Sequence, residues 1–215
     1  MNVQNLHDPG RRLALRGGAA MLVGLALPAR AKNDEADPAI APIRAFYDAL
    51  LAAMKQAEQL GVRGRYDKLA PVIRSTFDLA AMTRIAVGPD WNSIASEQQS
   101  ALLDGFARMT IATYANRFDG WSGQSFEIEP EVLVRNTGRI VRTRLVRPKE
   151  EPVTLNYLMR GAGDAWKVVD IYLSGTISEL ATQRSELGAI LKSGGPAALI
   201  ESLRQQIDRL MKKAG

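Results

Sequence analysis

The 215-residue chain has 28 lysines and arginines against 23 acidic residues, no cysteine, and a single histidine, His7. No disulfide can form. Because no Cys or His follows His7, the chain after that residue cannot contain Cys/His metal centres or Ser-His-Asp and Cys-His nucleophilic sites. Any acid–base catalysis would depend on Asp, Glu, Lys or Tyr side chains. We therefore expect neither a metal site nor a cofactor.

The N-terminus has the pattern of a secretory signal peptide. Three arginines within residues 11–16 precede an apolar run over residues 17–27, and small residues flank a cleavage site after Ala31. The run is shorter than the roughly 20 residues that span a bilayer. We predict a signal peptide over residues 1–31, a disordered lead-in over 32–37 and one domain over 38–213.

The charge of the exported chain is nearly balanced. Residues 32–215 contain 24 basic and 22 acidic residues. Because a nucleic-acid-binding protein normally keeps a large basic excess, we expect no nucleic-acid partner. Lys32, not a cysteine, follows the cleavage site, so no lipid anchor is expected. The pattern predicts a soluble periplasmic protein.

The first part of the predicted domain is helical. Asp37-Pro38 is typical of a helix start, and apolar residues at helical spacing extend the helix to about Leu60. Gly61 and Gly64 are expected to end it.

Three further helices follow before the pattern changes. Asp67 and Asp78 are candidate N-caps of two short helices, and Ser96-x-x-Gln99 has the spacing of a capping box. The predicted ranges are about 68–77, 79–87 and 96–118.

Alternation replaces helical spacing after Gly120. Turn residues at 136–138 and 161–164 separate apolar–polar runs, which indicates hairpins. We predict four strands over 125–135, 138–147, 152–161 and 165–174, then helices over 178–192 and 196–213. This order predicts an α+β fold in which N- and C-terminal helices pack on a four-stranded antiparallel sheet.

The apolar faces of the strands and helices allow two interpretations. They are either ordinary core or the wall of a cavity for an apolar ligand, and periodicity does not separate the two. If a cavity exists, the candidate ligand-binding residues are Phe106, Met109, Val141, Leu145, Leu155, Tyr157, Met159, Val169 and Ile171.

Charged residues alternate along two neighbouring strands. Glu127 and Glu129 lie on one predicted strand, and Arg142 and Arg144 on the next. Cross-strand ion pairs are the simplest interpretation, at about 0.2–1 kcal/mol each. Paired carboxylates could instead serve catalysis, and the arginines could contact an anionic lipid headgroup or an acidic partner.

Several segments in order resemble the MlaC-type, or toluene-tolerance, family of periplasmic phospholipid carriers. They are Arg65-Tyr66-x-x-Leu69, Phe77-Asp78-Leu79-x-x-Met82, Trp91 followed by Ser96-x-x-Gln99, Tyr114-x-x-Arg117, and Trp166-Lys167-Val168-x-Asp170. The stretch from Gly175 to Leu180, with Arg184-Ser185-Glu186, is most similar to the hopanoid-associated, HpnM-like branch.

The resemblance implies an NTF2-like fold with a deep apolar pocket between sheet and helices. It implies a non-catalytic shuttle that carries phospholipid or hopanoid between inner-membrane ABC-transporter-associated components and outer-membrane components.

Two other functions remain open at this stage. One is a ligand-free envelope adaptor with a packed core. The other is a small isomerase-like enzyme in which Asp170 would be the base and Tyr157 the proton donor.

Overall fold

The computed structural model describes residues 36–136 and 138–212. The predicted signal peptide and most of the predicted lead-in lie outside these residues. The helices are α1 (Ile40–Met54), α2 (Ala57–Thr76), α3 (Leu79–Val87), a 3₁₀ turn (Pro89–Ser93), α4 (Ser96–Arg117) and α5 (Glu179–Lys212). The strands are β1 (Ser125–Ile128), β2 (Leu133–Arg135), β3 (Gly138–Arg147), β4 (Glu150–Ala162), β5 (Ala165–Leu173) and β6 (Ile177–Ser178).

The strands form one antiparallel sheet in the order β1-β3-β4-β5-β6, and β2 also pairs with β3. The α+β prediction is confirmed, but the sheet has six strands, so the prediction of four was wrong. The predicted strand over 125–135 is divided around Pro130 into β1 and β2, which pair with successive parts of β3. Proline has no N–H to donate to a strand ladder, which explains the division. The added strand, β6, has two residues.

Two helix boundaries differ from the prediction. The first helix ends at Met54, and a second begins at Ala57 and bends at Gly61, where φ is 57° and the backbone is not helical, so the predicted break at Gly61 is confirmed as a bend. Asp67 lies inside this second helix and caps nothing. Asp78 does cap α3, because its carboxylate accepts a hydrogen bond from the Ala81 N–H at 2.9 Å.

The predicted capping box at the start of α4 does not form. No side chain caps the helix start, and Gln99 instead donates to the carbonyl of Trp91 at 2.8 Å. The two predicted C-terminal helices are joined as α5, which bends at Gly195, where φ is 72°. The predicted break is therefore confirmed as a bend.

The helices cover one face of the sheet. Side chains from β3, β4 and β5 share one buried cluster with residues of all five helices, among them Phe46, Phe106 and Leu199. Buried Arg65 links helices within this layer, since its guanidinium donates to the carbonyls of Ala57 and Ala115 at 2.8 Å each. None of the helices in the described part of the chain combines the length and apolarity needed to cross a bilayer.

Asp170 on β5 fixes the start of α5. Its carboxylate accepts hydrogen bonds from the Leu180 N–H at 3.1 Å, from the Ile171 N–H at 2.7 Å and from the Ser178 hydroxyl at 2.6 Å. The Ser178 hydroxyl in turn accepts from the Ala181 N–H at 2.9 Å. The bonds from Leu180 and Ala181 satisfy N–H groups of α5 that have no partner within the helix.

Asp170→Ala should lower the free energy of unfolding by about 2 kcal/mol, because it removes the carboxylate that accepts from the first N–H groups of α5 and from Ser178, and leaves buried donors without a partner. Urea titration followed by circular dichroism measures this change. The control is Asp208→Ala, which removes an exposed carboxylate from α5, the helix whose start Asp170 holds. Equal stability of the two variants would contradict the capping role.

Candidate functional site

A cavity of about 140 Å³ lies between the covered face of the sheet and the helices. The apolar part of its wall comes from α1, α3, α4, α5 and the strands, and consists of Tyr47, Leu50, Phe77, Met82, Tyr114, Phe118, Phe126, Leu155, Tyr157, Ile171, Leu173 and Leu180. The remaining wall residues are Thr110, Thr113, Arg117, Glu179 and Gln183. The arrangement suits an apolar ligand with a polar end.

Of the nine candidate residues, Leu155, Tyr157 and Ile171 line this cavity. The others lie elsewhere: Phe106, Met109, Val141, Met159 and Val169 are buried beyond the wall, and Leu145 is half-buried without lining it. Helical and strand periodicity found the buried faces, but it did not distinguish residues that close-pack from residues that border a space.

A bulge in β5 explains why Val169 does not line the cavity. Leu158 pairs with Asp170 and its neighbour Met159 pairs with Val168, so Val169 is an extra residue without a cross-strand partner. An extra residue reverses the alternation on its two sides. Consequently Val168 belongs to the core cluster beside the helices, contrary to the predicted face.

Most of the wall residues that the sequence pattern did not single out lie outside the four predicted strands. Thr110, Thr113, Tyr114 and Arg117 follow one stripe of α4 at helical spacing, so this signal was present in the sequence. The aromatic residue Phe126 lies on β1, where alternation places it opposite Leu145.

Aromatic rings form much of the cavity wall. Tyr47 and Phe126 stack with ring centroids 4.1 Å apart, and Tyr114 stacks on Phe118 at 5.9 Å. On its other side, the Tyr47–Phe126 pair borders a second cleft of about 220 Å³, which is also lined by Arg44 and Asp48. This stacked pair therefore lies between the apolar cavity and a more polar cleft.

Hydrogen bonds hold Tyr47 in place. Its hydroxyl oxygen lies 2.6 Å from Thr143 Oγ1 and 3.0 Å from the Tyr157 hydroxyl oxygen. The Thr143 hydroxyl also donates to the carbonyl of Leu155 at 2.6 Å. The polar ends of both tyrosines are thus satisfied inside the protein, and their rings are available to an apolar ligand.

The strand charges lie on the opposite face of the sheet from the cavity. Arg142 pairs with Glu129 at 2.7 Å and Arg144 with Glu127 at 2.8 Å, which confirms the cross-strand interpretation. Phe126 and Glu127 leave β1 on opposite faces, and Phe126 lines the cavity. Arg142 and Arg144 are therefore not placed to contact a ligand in the cavity.

Residues 44–205 match the family described as MlaC protein. The chain belongs to the MlaC family. A solved structure with the same fold is the phospholipid-binding protein from Ralstonia solanacearum in complex with a phospholipid. The two share 26% sequence identity with a TM-score of 0.69, over 80% of this chain and 98% of that one. No curated protein matches the sequence.

The geometry of this MlaC-family chain does not support the predicted isomerase pair. Asp170 precedes Ile171, which is the cross-strand partner of Tyr157, so the Asp170 and Tyr157 side chains leave the sheet on opposite faces. The Asp170 carboxylate is also occupied by the start of α5. Within residues 36–136 and 138–212, no three His, Cys, Asp or Glu side chains cluster as a metal site would require.

Burial changes the acidity of the tyrosines at the cavity. Desolvation raises the pKa of Tyr47 to about 12, although its hydrogen bonds to Thr143 and Tyr157 oppose the shift. Desolvation likewise raises the pKa of Tyr114 and of Tyr157 well above the ordinary value. All three hydroxyls are therefore neutral in the folded protein at physiological pH.

We predict that the MlaC-family protein loses stability as the pH rises above about 10, where tyrosines ionise in the unfolded chain but not in the folded one. The stabilisation is complete below that pH and falls by about 1.4 kcal/mol per pH unit for each such tyrosine until its folded pKa is reached. Tyr47→Phe should make this slope less steep by about 1.4 kcal/mol per pH unit, the contribution of one tyrosine.

Urea titrations between about pH 8 and about pH 11 measure the slope. At neutral pH, Tyr47→Phe should be less stable by about 1 kcal/mol, because it loses the hydroxyl bonds. A slope identical to that of the wild type would contradict the assigned burial of Tyr47.

Proposed function

We propose that the protein is a periplasmic carrier that binds phospholipid in the cavity between sheet and helices. The observation that carries this proposal is the cavity itself, whose wall is mostly apolar and aromatic and also contains Arg117, Glu179 and Gln183. Membership of the MlaC family and the phospholipid complex of the similar Ralstonia protein support it. The N-terminal sequence, typical of a signal peptide, supports the periplasmic location.

A carrier meets a clear energetic need. Each methylene that passes from lipid into water costs about 0.8 kcal/mol, so a two-tailed lipid crosses an aqueous space very slowly without a protein. An apolar cavity replaces the contacts that the tails lose on leaving a membrane. The protein needs no chemical step for this task.

The cavity must widen to accept a lipid. A volume of about 140 Å³ is close to that of an engineered cavity that holds benzene, whereas pockets for larger ligands have about 300–1,000 Å³. The neighbouring cleft of about 220 Å³ would join it if the stacked rings of Tyr47 and Phe126 separated. We infer that this separation makes room for the acyl chains.

The sequence resemblance supports a proposal for the transport partners and for the cargo. We propose that the donor and acceptor are inner-membrane ABC-transporter-associated and outer-membrane lipid-transport components. Similarity to the hopanoid-associated branch supports hopanoid as an alternative cargo. We also propose that the fold is related to NTF2-like domains.

Leu155→Trp should block lipid loading, because an indole at this position fills the cavity beside Tyr157 and Ile171. Native mass spectrometry of the exported protein, followed by organic extraction, measures bound lipid. We expect a stoichiometric adduct on the wild type and less than a tenth of that amount on the variant.

The matched control is Leu158→Trp, because Leu158 lies on the same strand with its side chain on the opposite face. It should retain the wild-type adduct. A wild-type protein that stays free of lipid after incubation with phospholipid vesicles would contradict the carrier and favour the ligand-free adaptor.

A further inference from the structure

Three polar side chains interrupt the apolar wall of the cavity in one region. Arg117 is at the last turn of α4, and Glu179 and Gln183 are one turn apart at the start of α5. The other polar wall residues on α4, Thr110 and Thr113, donate their hydroxyl hydrogens to carbonyls of their own helix.

The charges of this region are not neutralised by ion pairs. Arg117 and Glu179 form no salt bridge or side-chain hydrogen bond with any residue of the described ranges 36–136 and 138–212. Both charges nevertheless act on Tyr114, since Arg117 lowers and Glu179 raises the pKa of its hydroxyl. A positive and a negative group therefore flank the same part of the wall.

Gln183 contributes a side-chain oxygen that receives no hydrogen bond. Its Oε1 atom is buried and has no hydrogen-bond partner among the described residues. A buried acceptor without a partner is unfavourable, and a ligand that supplies an N–H would remove this penalty.

We propose that Arg117, Glu179 and Gln183 form a headgroup subsite for a zwitterionic phospholipid with a primary ammonium group. The guanidinium of Arg117 binds the phosphate, as is typical of arginine. The carboxylate of Glu179 and Oε1 of Gln183 accept hydrogen bonds from the ammonium, which has three N–H donors. This inference rests on the proposed carrier function.

The same geometry discriminates against two common headgroups. Phosphatidylglycerol offers the phosphate to Arg117 but has no cation for Glu179. Phosphatidylcholine has a cation, but its trimethylammonium group has no N–H for Oε1 of Gln183. Phosphatidylethanolamine satisfies all three side chains.

The test uses the delipidated protein and vesicles with equal amounts of phosphatidylethanolamine, phosphatidylglycerol and phosphatidylcholine, all with the same acyl chains. Bound lipids are extracted and quantified by mass spectrometry. For partly exposed charges we expect phosphatidylethanolamine to be enriched about threefold over phosphatidylglycerol. Glu179→Gln should bring this ratio close to one while the total lipid per protein stays constant.

Two further variants separate the roles. Gln183→Leu should reduce the preference for phosphatidylethanolamine over phosphatidylcholine, and Arg117→Gln should weaken retention of all three lipids alike. Glu186→Gln is the matched control, because it removes an exposed carboxylate from the same helix outside the cavity wall. It should keep the wild-type ratios.

The outcomes distinguish the subsite from the carrier. A wild type that binds lipid in the proportions of the vesicle overturns the subsite and leaves the carrier intact. A Glu179→Gln variant with wild-type ratios also overturns the subsite. A wild type that binds no lipid overturns both proposals.

Discussion

The packing of aromatic rings between the helical layer and the sheet determines the rest of this structure. Phe46 on α1 meets Phe77 and Tyr114 edge to face, with centroids 5.3 and 5.1 Å apart, and these contacts join α1 to α4 and to the segment between α2 and α3. Aromatic pairs prefer edge-to-face or offset-stacked arrangements, which fix the positions of the rings relative to one another. Tyr47 and Tyr157 are also joined through their hydroxyls, so both rings are held in place at the wall of the cavity beside the sheet.

Groups that hold the fold and groups that face the cavity are largely separate. The buried polar groups of Arg65 and Asp170 are satisfied by backbone or side-chain partners, so they contribute to stability whether or not a ligand is bound. The cavity wall, in contrast, contains Gln183 with an unsatisfied buried oxygen. A carrier must bind and release its cargo without unfolding, and this division allows both.

Sequence periodicity predicted the fold class, three of the strands and the helices that flank them, because burial on one face imposes a regular spacing. It failed where backbone chemistry interrupts that spacing. Pro130 divides a strand, and the bulge at Val169 reverses which side chains face the helices. Three of nine candidate wall residues line the cavity, because alternation identifies a buried face and not the tertiary contacts, such as those of Tyr47 and Phe126, that leave a space within it.

The most direct test is photocrosslinking with a phospholipid that has a photoactivatable group at the end of one acyl chain. If phospholipid binds in the cavity, peptide mapping will find the adducts on cavity residues such as Leu155, Ile171 and Leu173. Adducts confined to the opposite face of the sheet, around Arg144 and Leu158, would contradict it.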